Sequence, residues 1–222
     1  MEHLNEKMDS MNIDSSLKFP SEKFDSSLYF RSNFDSPDLD NFYVFPEAFD
    51  DSEIAEINKL SEEVPSEAGT ISGANLIVEK SIRTSRVKWF HRDDPKYGWL
   101  YKKLALLAAK ANQVMWNFSI TSMSENIQFT EYHAEEEGHY SAHIDVGSSA
   151  AFRKVSMTIQ LSDENDYEGG DLQFLITDDF ISSTRQKGTA IVFPSYFVHR
   201  VLPVTKGVRR SLVLWISGPP FI

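Results

Sequence analysis

After Ser124 the chain leaves no room for a helix. Short β-rich runs cover about 126–133, 139–145, 154–161, 171–176, 189–193, 197–204 and 209–216, separated by Gly, Asp, Asn and Pro turns at roughly ten-residue spacing. Parallel strands would need crossover helices in those gaps, so the seven or eight strands must pair antiparallel. Two helical segments precede them. Asp50-Asp51-Ser52-Glu53 is a helix start, followed by Ile54, Ile57 and Leu60 at helical spacing, with Pro65 as the stop. Asp94-Pro95 opens a longer helix to about Trp116, with Asp93 and Asp94 as capping acids and a stripe through Leu100, Leu104, Leu107 and Ala111. Between the helices, past a Gly69 to Gly73 turn region, Leu76-Ile77-Val78 and Val87 to Phe90 look like short strands. The expected fold class is mainly β with flanking helices (α+β): an antiparallel sandwich or jelly-roll barrel, the N-terminal helices packed on one sheet.

Residues 1–40 differ from this pattern. They are rich in Ser, Asp and Phe, hold no sustained period, and set nine acids against four bases. We read them as an acidic N-terminal arm, ahead of a domain over 41–222. The arm is either a docking segment anchored by its phenylalanines or a composition-biased tail. The whole chain carries 33 acidic and 22 basic residues, a net charge of −11, which is the wrong sign for gathering phosphate backbones. The start lacks a basic region followed by an apolar one, and no apolar run is long enough to span a bilayer, so a soluble cytoplasmic protein without a membrane partner is expected. Oligomeric state is not legible.

There is no cysteine, so any metal must be held by His, Asp or Glu. Six histidines are present, and His3 falls in the arm. In a strand, i and i+2 share a face, so His143-Ile144-Asp145 presents an imidazole and a carboxylate together while Ile144 packs the other side. His91-Arg92-Asp93 has the same form, but it adjoins Asp94-Pro95, where its acids are explained as helix caps. His199 stands among apolar neighbours at the start of a strand, and Arg209-Arg210 begins the last strand. If those two strands form a hairpin centred on Val204, His199 faces Arg209; a one-residue shift presents Arg210 instead. His133 and His139 flank Glu135-Glu136-Glu137, read as a mobile loop at the barrel mouth without a metal role. Two histidines and one carboxylate inside a barrel form a facial triad suited to non-haem Fe(II), with open positions for an anionic chelator and dioxygen. An arginine beyond the metal would hold such a chelator's far carboxylate.

These residues resemble the 2-oxoglutarate- and Fe(II)-dependent dioxygenases, in particular the prolyl 4-hydroxylase-like branch with its bacterial and phage PKHD-type hydroxylases. The resemblance spans about 45–218. It rests on Ile127 to Tyr132, Gly138 to Asp145, Ser156 to Leu161, Tyr167 to Leu172 and Gly188 to Arg209. It implies a double-stranded β-helix core. His143, Asp145 and His199 are then the iron ligands, and Arg209, ten positions after the distal histidine, binds the C5 carboxylate of 2-oxoglutarate. Tyr132 matches a family tyrosine on the same carboxylate, or else is a buried core tyrosine. Glu168-Gly169-Gly170-Asp171 is the family turn before a core strand, and Trp215 is read as core. The implied co-substrates are 2-oxoglutarate and O2, with ascorbate as a reductant, and the implied reaction hydroxylates an unactivated C–H bond with release of succinate and CO2. Asp145 in the triad implies hydroxylation and not halogenation. A peptidyl residue such as proline is the implied substrate. The alternatives are a small metabolite, free amino acid or nucleobase, or a non-catalytic jelly-roll binding module.

Overall fold

The computed structural model describes residues 42–70, 78–147, 150–176 and 178–220. The expected arm over 1–40 and most of the expected Leu76-Ile77-Val78 strand lie outside the described residues. In chain order come β1 (Tyr43–Phe45), helix α1 (Asp51–Glu62), β2 (Glu67–Ala68), β3 (Arg83–Thr84), β4 (Arg86–Phe90) and helix α2 (Gly98–Met115). The remainder is β5 (Ile127–His133), β6 (His139–His143), β7 (Arg153–Gln160), β8 (Tyr167–Gly169), β9 (Leu172–Ile176), β10 (Asp179–Ser182), β11 (Ala190–Pro194), β12 (His199–Val201) and β13 (Val204–Ser217).

Local chemistry explains both helix starts. Asp50 closes a capping box with Glu53, each side chain accepting from the other's backbone N–H, and this ties down α1. Asp94 accepts from Lys96 N and starts a 3₁₀ turn over Pro95–Tyr97, which leads into α2. Asp93, expected to share that capping role, instead lies 3.6 Å from Arg92 on the surface.

The strands form two antiparallel sheets. The large one runs β1-β11-β7-β13-β5-β4-β2, with β8 also on β13, and the small one runs β10-β9-β12-β6-β3. Strand β7 is almost wholly buried because both of its faces are covered. Val155, Met157 and Ile159 join Leu212, Leu214, Ile127 and Phe129 in one core with Ile57, Leu100 and Leu104 of the helices. The alternate residues Ser156, Thr158 and Gln160 point the other way, and Val213 is opposed by both Thr158 and Gln128, which puts them on one face. That inner face carries Gln128, Thr130, Ser156, Thr158, Gln160 and Ser211, all buried. A buried polar face costs free energy unless it is hydrogen-bonded, so it marks a site and not a filled core.

The expected hairpin between the last two strands does not form. Strand β12 pairs with β6 and β9 in the small sheet, while β13 pairs with β5, β7 and β8. The chain switches sheets at Leu202-Pro203, where Leu202 N donates to Asp171 O and Pro203 O accepts from Gly170 N. Gly169 and Gly170 make that approach possible: both have positive φ, and a Cβ on Gly169 would stand 2.2 Å from Pro203 O.

Candidate metal centre and anion pocket

His143 ends β6 and His199 begins β12, and the two residues are direct cross-strand partners in the small sheet. Their rings lie 4.2 Å apart between centroids. Asp145 joins them from the bend after β6, not from the strand itself as expected, and Ile144 between them is 45% exposed instead of packed. The bend still delivers the carboxylate: Asp145 N donates to Ser195 O at 2.9 Å. One ligand atom from each of His143, Asp145 and His199 falls within 4.8 Å of the others. Among the described residues no other group of His, Asp and Glu does so. His133 and His139 stay outside it. The acidic run between them, expected as a mobile loop, is a 3₁₀ turn over Ala134–Glu136, with Glu136 bonded to Arg86.

The donor set is arranged for a cation. His143 Nδ1 sits 2.8 Å from Ser141 O and His199 Nδ1 sits 2.9 Å from Phe197 O, so these carbonyls take the Nδ1 protons and each Nε2 is left as the candidate metal donor. Both Nε2 atoms face Asp145, at 3.8 Å from Oδ1 for His143 and 3.7 Å from Oδ2 for His199. Burial, then the neighbouring His199, lowers the His143 pKa to about 3, so the ring is neutral at physiological pH. Burial would push Asp145 up, but His199, His143, the Ser156 hydroxyl and Arg153 outweigh it and hold the carboxyl below its usual range. Two imidazoles and one carboxylate suit Fe(II).

The His143 shift has a consequence for stability. Its folded pKa lies below the ordinary 6.5, so between those values the unfolded chain binds the proton that the folded protein refuses. Metal-free protein should therefore lose stability as pH falls from 6.5 toward 3, at up to ~1.4 kcal/mol per pH unit for this one proton. Urea melts in chelator from pH 7.5 to pH 4 measure it, and a flat profile would refute it.

The cluster lies in a pocket of about 580 Å³ between the sheets. Arg209, Ser211, Val213 and Trp215, alternate residues of β13, line its large-sheet wall. Trp215, expected as core, is buried but faces this pocket, with Arg153 stacked 3.8 Å over its ring. Arg153 also grips Glu125 through two nitrogens and donates to Asp145 O at 3.1 Å, which braces the bend. Arg209 is 2% exposed, and its Nη2 donates to Gln160 Oε1 at 3.0 Å. Arg209 Nε, Ser211 Oγ and Trp215 Nε1 are buried without hydrogen-bond partners. Three orphaned donors on one pocket wall fit an acidic ligand, because leaving each unpaired costs free energy.

Register settles the choice between the two arginines. Arg209 opposes Tyr132 on the inner face, with its guanidinium 5.5 Å from that ring's centroid, whereas Arg210 opposes Glu131 and bonds it on the outer face. Gln160, Ser156 and Arg153 carry no role in the sequence reading. The signal for Ser156 and Gln160 is the run of polar residues at every second position of β7, alternating with Val155, Met157 and Ile159.

The fold is thus a double-stranded β-helix holding a two-histidine, one-carboxylate cluster and a buried arginine in one pocket. Residues 127–217 match the family model of the 2OG-Fe(II) oxygenase superfamily. Similar curated proteins include a PKHD-type hydroxylase of Synechococcus sp., 35% identical over 85 residues, covering 38% of this chain and 39% of that protein. Another, from Nitrosomonas europaea, is 30% identical over 126 residues, covering 53% and 54%. The matches thus span about two-fifths to half of those relatives' length. Among solved structures, a prolyl hydroxylase of Trichoplax adhaerens, in complex with a hypoxia inducible factor peptide fragment, superposes with a TM-score of 0.69 at 19% identity, covering 81% of this chain and 84% of its own. A Pseudomonas putida prolyl-4-hydroxylase gives 0.63 at 19% identity, covering 80% and 92%. At that identity the likeness shows the fold.

Proposed function

We propose that this protein is an Fe(II)- and 2-oxoglutarate-dependent dioxygenase that hydroxylates an unactivated C–H bond, with succinate and CO2 as co-products. The observation that carries it is the placing of the His143–His199 pair with Asp145 in the same pocket as a buried, acid-free arginine. His143, Asp145 and His199 would hold the iron. Arg209 would take the C5 carboxylate of 2-oxoglutarate, with Tyr132 beside it and Ser211 as a further donor. When bound, iron with dioxygen and the 2-oxo acid supplies the oxidising chemistry.

The chain's own work is positional. Backbone carbonyls accept from both imidazole Nδ1 atoms, Ser156 and Arg153 hold the Asp145 bend, and the rings of Tyr140 and Phe193 pack against His143 and His199. A peptidyl residue such as proline is the favoured substrate, supported by the prolyl hydroxylase neighbours and by the peptide bound to one of them. The test is succinate formation from 2-oxoglutarate with Fe(II) and ascorbate, with and without a proline-containing peptide library. Peptide-stimulated succinate supports the reading in full. Turnover indifferent to peptides moves the substrate to a small metabolite, and no turnover with any substrate class removes the enzyme.

A further inference from the structure

Asp145 is held by more than its backbone. Ser156 Oγ, fully buried on β7, donates to Asp145 Oδ2 at 2.6 Å. Ser195 Oγ, also fully buried, lies 2.9 Å from Ser156 Oγ. A serine hydroxyl has a single proton, and that of Ser156 is committed to the carboxylate, so Ser195 must donate into Ser156. The chain of donors runs Ser195 to Ser156 to Asp145, each bond polarising the next. The same Ser195 accepts, through its carbonyl, from Asp145 N at 2.9 Å and Val146 N at 3.3 Å. Ser156 of the large sheet and Ser195 of the turn after β11 therefore clasp the bend that follows β6.

The chemistry is asymmetric. Oδ2 has a short charge-assisted bond from the Ser156 hydroxyl, while no hydrogen bond to Oδ1 is seen among the described residues. We propose that the Ser156–Ser195 hydroxyl pair is a positioning device that commits one oxygen of Asp145 and leaves the other for a metal. Without it the carboxylate is free to turn both oxygens onto the cation and crowd out a chelating co-substrate. The inference deepens the dioxygenase reading and rests on it.

The test uses Mn(II) alone, then 2-oxoglutarate on the Mn(II)-loaded protein, both by calorimetric titration, for wild type, Ser156→Ala, Ser156→Thr and Ser195→Ala. Ser156→Ala is expected to keep Mn(II) affinity within about threefold and to weaken 2-oxoglutarate roughly tenfold or more, the scale of one hydrogen bond to a charged group. Ser156→Thr, which restores the hydroxyl, should recover the loss, and Ser195→Ala should show a smaller loss in the same direction. A merely structural role predicts that both affinities fall together, and that pattern, or an unchanged 2-oxoglutarate affinity in Ser156→Ala, overturns the inference. If Ser156→Ala does not fold, Ser195→Ala decides: a loss confined to 2-oxoglutarate supports the device, and wild-type binding of both ligands refutes it. Wild-type protein that binds no Mn(II) would instead remove the metal reading itself.

Discussion

Replacing His199 by alanine is expected to abolish metal retention and, with it, succinate formation. His199 is buried between the rings of Phe174 and Phe193, and its Nε2 lies 3.7 Å from Asp145. Outer partners of a metal ligand typically cost about 10- to 100-fold in affinity when removed, so losing a ligand outright sets at least that scale. The truncation also opens a cavity beside Phe193, so a second variant is needed that spares the packing. Asp145→Asn keeps the volume and the contact with Ser156 but removes the charge on which the cluster's cation preference depends. Metal content after dialysis against Fe(II) under anaerobic conditions should fall in both variants while their far-UV circular dichroism stays native. Wild-type metal content in either would mean that the three side chains do not form the ligand set.

Most of this centre can be read from the sequence, and the exceptions have physical causes. His143 and Asp145 are two residues apart, so a single local conformation brings them together, and the bend that does so keeps the spacing even though it is not a strand. His199 joins them through pairing to β6, which no local pattern reveals; the hairpin argument reached Arg209 by a route the fold does not take. Turn residues alone suggest a reversal within one sheet. Pro203 and the Gly169-Gly170 turn instead carry the chain across to the other sheet. Arg209 still arrives inside because strand parity decides its face: Arg209, Ser211, Val213 and Trp215 share one side whatever β13 pairs with. The short strands β8 and β10 escaped notice since so few residues show no period. Gln160 and Ser156 escaped because their partners lie far away in sequence.

Gln160 carries the sharpest test of the anion pocket. Its Nε2 donates to Thr184 O at 3.0 Å, which fixes the amide so that Oε1 faces Arg209. No acid among the described residues lies within ion-pair distance of Arg209, and a buried guanidinium left without an anion is costly. Gln160→Glu would supply that anion from within at nearly constant volume, at the loss of the bond to Thr184. The new carboxylate would then compete with the C5 carboxylate of 2-oxoglutarate for the same cation. Disturbing a buried charge pair costs several kcal/mol, so the KM for 2-oxoglutarate should rise roughly 100-fold, with a smaller change in kcat at saturation. Arg209→Ala should raise KM similarly but lower thermal stability less than a buried-charge loss would, because it removes the unpaired cation altogether. The discriminating comparison is a 2-oxo acid without a second carboxylate. If Arg209 reads that distal group, Gln160→Glu penalises 2-oxoglutarate far more than the monoacid, whereas equal penalties would mean that the substitution merely distorts the pocket. An unchanged KM in both variants would assign the buried arginine to architecture and leave the co-substrate's anchor to be sought elsewhere on the polar inner face.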